Sequence, residues 1–173
     1  MALDKKHIGR RYGPFVYEAG VEKMREFAWA VGGTIPSTGF TTQGAPVGLH
    51  PWLTDQAAAQ SSPYGAIIAM PNFAVVFAIG PFGRACADPE VGVDLLRLVH
   101  GDQEFEFFEP VKAGDVLTTV GEIADVSSKA GLDFLVVTTE STNQRGQLVV
   151  KGRWTAVIRS AKSEGGATAG SRG

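Results

Sequence analysis

The sequence predicts an α+β fold in which a curved antiparallel sheet of about five strands wraps a buried apolar helix. The segment AIIAMPNFAVVFAIG, residues 66–80, is apolar on every side, and a helix without a polar face belongs inside a fold. Residues 103–159 then hold a series of strand-like segments separated by short turn sequences. The helix and the sheet each need an apolar surface to cover them, so we expect them to pack against each other.

Composition indicates one ordinary globular domain. The chain has 173 residues, with 16 basic and 18 acidic side chains, and this balance does not predict nucleic acid or an anionic membrane as a partner. We expect one domain over residues 1–160 and a flexible tail over 161–173, where no bulky apolar residue could anchor the chain. The absence of a signal-like or membrane-spanning stretch predicts a cytoplasmic protein. Cys86, the single cysteine, is expected to be a small buried hydrophobic residue.

The first half of the chain predicts one strand and two helices. Residues 12–18 favour a short strand, which Pro14 confines to the edge of a sheet or to its own first turn. Residues 21–32, VEKMREFAWAVG, repeat apolar side chains at helical spacing, including Val31, and end at a glycine pair. A short helix follows Asp55, with Thr54 or Asp55 as its cap.

A further helix and four strands are predicted after the apolar segment. The helix is expected to start at Asp88, with Pro89 at its first position, and to run through EVGVDLLRLV. The strands are expected over QEFEFFEP, VLTTVGEIADVSS, LDFLVVTTEST and QLVVKGRWTAVIR, joined by hairpin turns. Period-two spacing places Phe105 and Phe107 in the core.

The last strand indicates which side of the sheet is buried. Val150, Trp154, Ala156 and Ile158 alternate with the polar or charged side chains of Lys151, Arg153, Thr155 and Arg159. One face of the sheet is therefore expected to be buried and the other to be wetter. A helix wrapped by such a curled meander is the hot-dog architecture.

Residues 33–53 form a long segment rich in turn-forming residues. They hold four glycines and three prolines, too many for a regular element, and the segment is longer than an ordinary connection. It contains His50, one of three histidines in the chain. A loop of this length in a compact domain is usually functional or disordered.

Three segments resemble one known family. These are HGDQEFEFFEPVKAGD (residues 100–115), VEKMREFAWAVG (21–32) and SPYGAIIAMPNF (62–73). Together they resemble the N-terminal, FAS1-like class of MaoC-type dehydratases, hot-dog proteins that include (R)-specific enoyl-CoA hydratases and hydroxyacyl-thioester dehydratases. The resemblance covers residues 8–159 in order, and the first segment is its most specific part.

Catalytic members of that family carry Asp-x-Asn-Pro-x-His after the first helix, and the Asp and His hold the reacting water. Here two registers are possible. Aligning Pro36 with the family's proline places Gly33 at the aspartate and Thr38 at the histidine, whereas the register over residues 48–53 places Gly48 and Leu53 there. Neither register retains the pair, so the resemblance implies a chain that lacks the usual acid–base residues.

The candidate site residues follow from this comparison. His50 and Asp55 are the candidate catalytic residues, although His50 also suits a solvated loop position and Asp55 a helix cap. Met70, Pro71, Asn72 and Phe73, where the family's helix start faces the thioester, are candidate substrate-binding residues, because a helix N-terminus offers unpaired N–H donors. His100 is a further candidate, with a turn-stabilising role as its alternative. Trp29, Trp52 and Trp154 are expected to be packing residues.

The resemblance implies a component of an (R)-specific enoyl-thioester hydratase or 3-hydroxyacyl-thioester dehydratase. Without the Asp/His pair, we expect a substrate-binding subunit beside a catalytic hot dog, in a homodimer or a heterodimer. The substrate would be a thioester of coenzyme A or acyl carrier protein, with no cofactor and no metal. A non-catalytic acyl-thioester binding protein is the alternative. A thioesterase is disfavoured, because NFAVVFAIG lacks the carboxylate that hot-dog thioesterases carry on this helix.

Overall fold

A computed structural model of the chain describes residues 3–32 and 49–159. Within these residues, a five-stranded antiparallel sheet packs on a central helical segment. The predicted tail, and residues 33–48 of the predicted loop, lie outside the described residues.

Along the chain, the first strand is followed by all of the α-helices and then by the other four strands. The helices are α1 (Val21–Gly32), α2 (Gln56–Gln60), α3 (Ala74–Ala78) and α4 (Gly80–Cys86), with 3-10 turns at Lys5–His7, Pro51–Leu53 and Pro71–Phe73. The strands are β1 (Arg11–Glu18), β2 (Leu98–Phe107), β3 (Val116–Lys129), β4 (Leu132–Thr142) and β5 (Leu148–Arg159). None of the helices in the described ranges has both the length and the apolar character to cross a bilayer.

The sheet has the order β1-β3-β4-β5-β2, so β1 and β2 are its edges. All neighbours are antiparallel. The edge position of β1 confirms the prediction from Pro14. A tight turn joins β3 to β4, and its two central residues, Ala130 and Gly131, both have positive φ, as the twist of a two-residue hairpin requires.

The buried face of β5 is the predicted one. Val150, Trp154 and Ala156 are fully buried and Ile158 nearly so. Lys151, Arg153 and Arg159 alternate with them and are exposed. Trp154 stacks on Phe82 of α4, with ring centroids 5.7 Å apart, so this strand and the helix share one core.

The central helical segment, residues 71–86, differs from the predicted helix over 66–80. It comprises the 3-10 turn Pro71–Phe73, α3 and α4. Met70 is extended, with φ −63° and ψ 146°, because a residue before proline is pushed out of the α region. Ile68 instead forms an isolated antiparallel bridge with Lys112. The helical segment therefore begins inside the apolar segment, at the Pro71 start that the candidate site residues implied, and it ends later than predicted; α4 packs against β1, β3 and β4.

The predicted helix from Asp88 to Val99 is wrong. Residues 88–97 form turns, and β2 begins at Leu98. Asp88 does start one helical turn, in which the N–H groups of Val91 and Gly92 both donate to its carbonyl oxygen at 3.1 Å. Gly92 then takes φ +73°, a left-handed conformation that ends the turn.

Two apolar side chains that periodicity placed in the core are exposed. Phe107 is 49% exposed, whereas Phe105 is partly buried and contacts Trp154 edge to face. Val31 is exposed on the last turn of α1, while Met24 and Ala28 of the same helix are buried. Both exceptions lie near the ends of their elements.

The cysteine and tryptophan predictions are largely confirmed. Cys86 is buried, and burial raises the pKa of its thiol to about 11, which keeps it protonated and unreactive near neutral pH. Trp154 is fully buried in the core. Trp29 and Trp52 are partly buried.

Candidate functional site

An apolar pocket of about 390 Å³ lies beside the start of the central helical segment. One wall comes from the helix start, the other from the end of β2, the segment that follows it and the start of β5. The lining residues include Met70, Pro71, Ala74 and Phe77 on the helical side and Phe107, Phe108, Val149 and Val150 on the strand side. Leu53 and Tyr64 also line it.

Short backbone pairing holds the two walls together. The N–H of Ala69 donates to the carbonyl of Val111 at 2.9 Å, and the N–H of Ala113 donates to the carbonyl of Ile67 at 2.9 Å. On the other wall, the N–H of Phe108 donates to the carbonyl of Val149 at 2.9 Å. These bonds fix the chain that enters the helix against the chain that leaves β2.

The chemistry of the lining favours an apolar ligand. Among the lining residues in the described ranges, Glu109 is the one carboxylate, and it is exposed to solvent. A largely apolar cleft with few polar groups is typical of a small-molecule site. Burying an alkyl chain there would contribute about 0.8 kcal/mol per methylene.

His50 is bound to its own local backbone. Its Nδ1 accepts a hydrogen bond from the N–H of Trp52 at 3.3 Å, which caps the 3-10 turn Pro51–Leu53. Its ring also contacts the ring of Trp52, with centroids 4.3 Å apart, and Trp52 contacts Tyr64 of the pocket at 5.6 Å. His50 is exposed and does not line the pocket itself.

Asp55 is the N-cap of α2. Its Oδ1 accepts a hydrogen bond from the N–H of Ala58 at 2.7 Å, the capping arrangement that the sequence left open between Thr54 and Asp55. Its side chain is exposed and outside the pocket lining. The structure therefore gives both candidate catalytic residues a local structural contact.

The four candidate substrate-binding residues at the helix start divide into three environments. Met70 and Pro71 line the pocket. Phe73 is fully buried, 5.3 Å from the ring of Phe27 between centroids, and it belongs to the core. Asn72 is exposed.

His100 lies away from these residues. It pairs with Ala156, whereas Phe107 of the pocket pairs with Val150 at the opposite end of the same two strands. The two positions are seven residues apart along β2, or roughly 23 Å at about 3.3 Å per residue. The His100 ring is exposed and faces Phe82 at 5.5 Å, so the structure does not bring His100 to the pocket.

In the second register, Leu53 occupies the position of the family's histidine. Its side chain lines the apolar pocket. The matching aspartate position, Gly48, and the first register, Gly33 with Thr38, lie outside the described residues. At position 53, an apolar side chain therefore contacts the pocket where the family's motif would supply an imidazole.

Sequence reasoning missed several lining residues. Phe108, Val149 and Tyr64 line the pocket but were not singled out. One signal was available: FEFFEP breaks the strict alternation of β2, because Phe107 and Phe108 are adjacent. Two successive large apolar residues at the end of a strand cannot both fit a strict alternation of buried and exposed positions, so one of them needs a further apolar surface.

Comparison with known proteins identifies the family. A model described as the FAS1-like dehydratase domain region matches residues 6–152. A UPF0336 protein of Saccharopolyspora erythraea is 39% identical over 92% of this chain and 93% of its own length. The fold and this match together define a MaoC-like hot-dog protein, and the chain belongs to the FAS1-like dehydratase family.

Two solved structures are similar in fold and sequence. The C-terminally truncated HadBC (3R-hydroxyacyl-ACP dehydratase) complex of Mycobacterium tuberculosis has a chain that is 28% identical, with a TM-score of 0.69, 87% of this chain covered and 96% of that one. A MaoC-like dehydratase is 27% identical, with a TM-score of 0.68 and 90% of this chain covered. This chain spans 43% of the length of that protein.

Proposed function

We propose that this chain is the substrate-binding subunit of an (R)-specific enoyl-thioester hydratase or 3-hydroxyacyl-thioester dehydratase. A second hot-dog chain supplies the acid–base pair. The observation that carries this proposal is the apolar pocket at the helix start, in which Leu53 stands at the position that the second register matches to the family's histidine.

The pocket would take the acyl chain of the thioester. Its helical wall begins at Pro71, which has no N–H, and the first N–H groups of a helix lack partners within it. Because the N–H of Phe73 already donates to the carbonyl of Met70 at 2.9 Å, we assign this role to the N–H of Asn72, which would stabilise the charge that develops on the oxygen of a thioester carbonyl at the helix start. The chain thus contributes binding and orientation.

The reaction itself needs a general acid and base. Hydration adds the hydroxyl of water to the β-carbon and a proton to the α-carbon of the enoyl thioester, and dehydration reverses both steps. A positioned Asp/His pair moves these protons near its own pKa. In this chain His50 and Asp55 each bind the backbone of their own short helix, which supports assigning the proton transfers to the partner.

An assay of crotonyl-CoA hydration tests the proposal, run on the purified chain and on the chain co-purified with a hot-dog partner that carries Asp-x-Asn-Pro-x-His. We expect turnover only with the partner. Turnover by the chain alone that disappears in His50→Ala would contradict the proposal. Acyl-CoA binding without turnover in either setting would instead identify a non-catalytic binding protein.

A further inference from the structure

The apolar pocket has an exposed mouth and a buried floor. Pro71 and Glu109 line it and are exposed, whereas Ala74, Phe77 and Val150 line it and are buried. A ligand with one polar and one apolar end would therefore bind with its apolar end against the floor and its polar end at the mouth. The side chains at the mouth are thus the ones that meet the polar end of an acyl thioester.

Backbone pairing places Glu109 beside the start of the central helical segment. Ile68 forms an antiparallel bridge with Lys112. Met70 is still extended, so the same register sets Pro71 opposite Glu109. Residues opposite each other in an antiparallel pair have Cα atoms about 4.5–5.5 Å apart. Glu109 therefore lies next to the point at which the proposed function places the thioester carbonyl.

The charge at the mouth of the pocket is negative. Among the lining residues in the described ranges, Glu109 has the one charged side chain. The ammonium group of Lys112, close by in the chain, donates to the backbone carbonyl of Tyr64 at 2.7 Å. An ionised carboxylate accepts hydrogen bonds and donates none. The mouth therefore favours a ligand that carries a hydroxyl donor close to its thioester and disfavours one that carries a second carbonyl oxygen there.

From this geometry we infer that Glu109 is a specificity residue, which binds the 3-hydroxyl of a 3-hydroxyacyl thioester. The β-carbon that carries this hydroxyl is separated from the thioester carbonyl carbon by the α-carbon alone. A carbonyl held at the N–H of Asn72 therefore brings the hydroxyl to the mouth, where it donates to the carboxylate of Glu109. Enoyl and saturated acyl thioesters have no donor at this carbon.

The consequence is that this chain binds the hydrated form of the thioester more tightly than the dehydrated form. The inference rests on the proposed function, because it specifies which form of the thioester the same pocket selects. The hydroxyl keeps its proton in this contact, so Glu109 contributes to binding and the proton transfers stay with the partner. Specificity then arises as a difference between two affinities.

Isothermal titration calorimetry with three ligands tests the inference: (R)-3-hydroxyoctanoyl-CoA, its (S) isomer and octanoyl-CoA. We expect the wild-type chain to bind the (R) ligand about tenfold more tightly than octanoyl-CoA, because hydrogen bonds to charged groups are among the stronger ones. The two isomers direct the hydroxyl to opposite sides of the acyl chain, so the (S) ligand should bind like octanoyl-CoA. Equal affinities for the (R) ligand and octanoyl-CoA would contradict the inference.

Two substitutions of Glu109 assign the preference to its carboxylate. Glu109→Leu removes the acceptor and should reduce the preference for the (R) ligand to about twofold or less. Glu109→Gln keeps a neutral acceptor and should retain about a threefold preference. The ratio of the two affinities is the quantity compared, because loss of a negative charge raises the affinity for every anionic CoA ligand. An unchanged tenfold preference in Glu109→Leu would overturn the assignment.

Glu104→Leu is the matched control. Glu104 is exposed on β2 and lies outside the pocket lining, so this change removes the same charge and should keep the preference for the (R) ligand. Loss of the preference in this variant too would place its origin outside Glu109 and contradict the inference.

Binding of octanoyl-CoA separates the inference from the proposed function. A wild-type chain that binds octanoyl-CoA but does not prefer the (R) ligand overturns the role of Glu109 alone. A chain that binds none of the three ligands overturns the proposed function, and the role of Glu109 with it.

Discussion

The hydroxyl of Tyr12 in β1 donates a 2.9 Å hydrogen bond to Oδ2 of Asp88, which follows α4. Arg10 contacts the same oxygen at 3.0 Å and also pairs with Glu90. These contacts connect the first edge strand to the end of the central helical segment. They also bind the carboxylate of Asp88, the residue at which the sequence predicted the start of a long helix.

The first prediction concerns the pH dependence of stability. The N–H of Glu90 donates to Oδ1 of Asp88 at 3.0 Å. This bond lowers the pKa of Asp88, and the hydrogen bond from the Tyr12 hydroxyl and the positive charge of Arg10 lower it further. A carboxyl with a lowered folded-state pKa contributes stability above its unfolded pKa of about 3.9 and loses it as pH falls. Asp88→Asn should therefore lower the Tm at pH 6 and lose less further Tm than the wild type on acidification to pH 3.

The control for this prediction is Asp102→Asn, at an exposed carboxyl on β2. Its Tm at pH 6 should lie close to that of the wild type. Parallel Tm profiles for Asp88→Asn and the wild type between pH 6 and 3 would show that the Asp88 contacts contribute no pH-dependent stability. Differential scanning calorimetry gives both profiles.

The second prediction tests how closely the helix approaches the sheet. A Cβ on Gly121 of β3 would come within 2.6 Å of Cβ of Pro81 in α4 and 2.7 Å of the Thr138 carbonyl oxygen. Because neither neighbour is the end of a flexible chain, Gly121→Ala should cost about 1–3 kcal/mol of unfolding free energy. Urea denaturation of the variant and the wild type measures this difference in unfolding free energy.

Gly83→Ala is the matched control for that substitution. Gly83 lies in α4, and a Cβ there would meet nothing within 4 Å, so the change should stabilise the chain by up to about 1 kcal/mol. Equal destabilisation by the two variants would contradict the close packing of α4 on β3.

The third prediction concerns the pocket. Ala69 lines it and is only partly buried, so Ala69→Phe would fill part of its volume without adding atoms to the tight core. We expect the affinity for an acyl-CoA such as octanoyl-CoA to fall at least tenfold, about 1.4 kcal/mol. Isothermal titration calorimetry measures the affinity.

Ala57→Phe adds the same atoms at an exposed position of α2 and should leave acyl-CoA affinity within a factor of two. If both phenylalanine variants bind like the wild type, the acyl chain does not occupy this pocket.

The fourth prediction separates the capping role of Asp55 from a catalytic role. Asp55→Ala removes the acceptor of the Ala58 N–H bond and should cost about 1 kcal/mol of stability, whereas Asp55→Asn retains a capping side chain and should cost less. Both variants should keep the turnover of the complex with a catalytic partner. Loss of turnover in the folded Asp55→Asn variant would assign Asp55 to the chemistry.

Much of the fold could be predicted because alternation and turn residues are local signals. Val150, Trp154 and Ala156 mark the buried face of β5 directly, and Pro14 marks an edge strand. The helix predicted from Asp88 failed because apolar spacing at Leu95 and Leu96 looks the same whether those side chains are buried or, as here, exposed. In the structure, the left-handed conformation of Gly92 ends the helical turn that starts at Asp88. The sequence alone does not reveal this, because a glycine is compatible with a continued helix as well as with a turn.

The candidate site was predicted only in part, for a related reason. Met70 and Pro71 could be placed at the site because the family resemblance puts a helix start that faces the thioester there, and Pro71 is itself typical of a first helical position. Phe108 and Val149 reach the pocket through pairing of β2 with β5, a contact between residues about 40 positions apart in the chain. No local pattern specifies such a meeting.

The most direct test of the division of labour is crotonyl-CoA hydration by the reconstituted complex, with the histidine of the partner's Asp-x-Asn-Pro-x-His motif replaced by alanine. We predict that this complex still binds acyl-CoA, that the binding is weakened by Ala69→Phe, and that turnover is lost. Remaining turnover that His50→Ala in this chain then removes would contradict the account, because it would place the acid–base chemistry here.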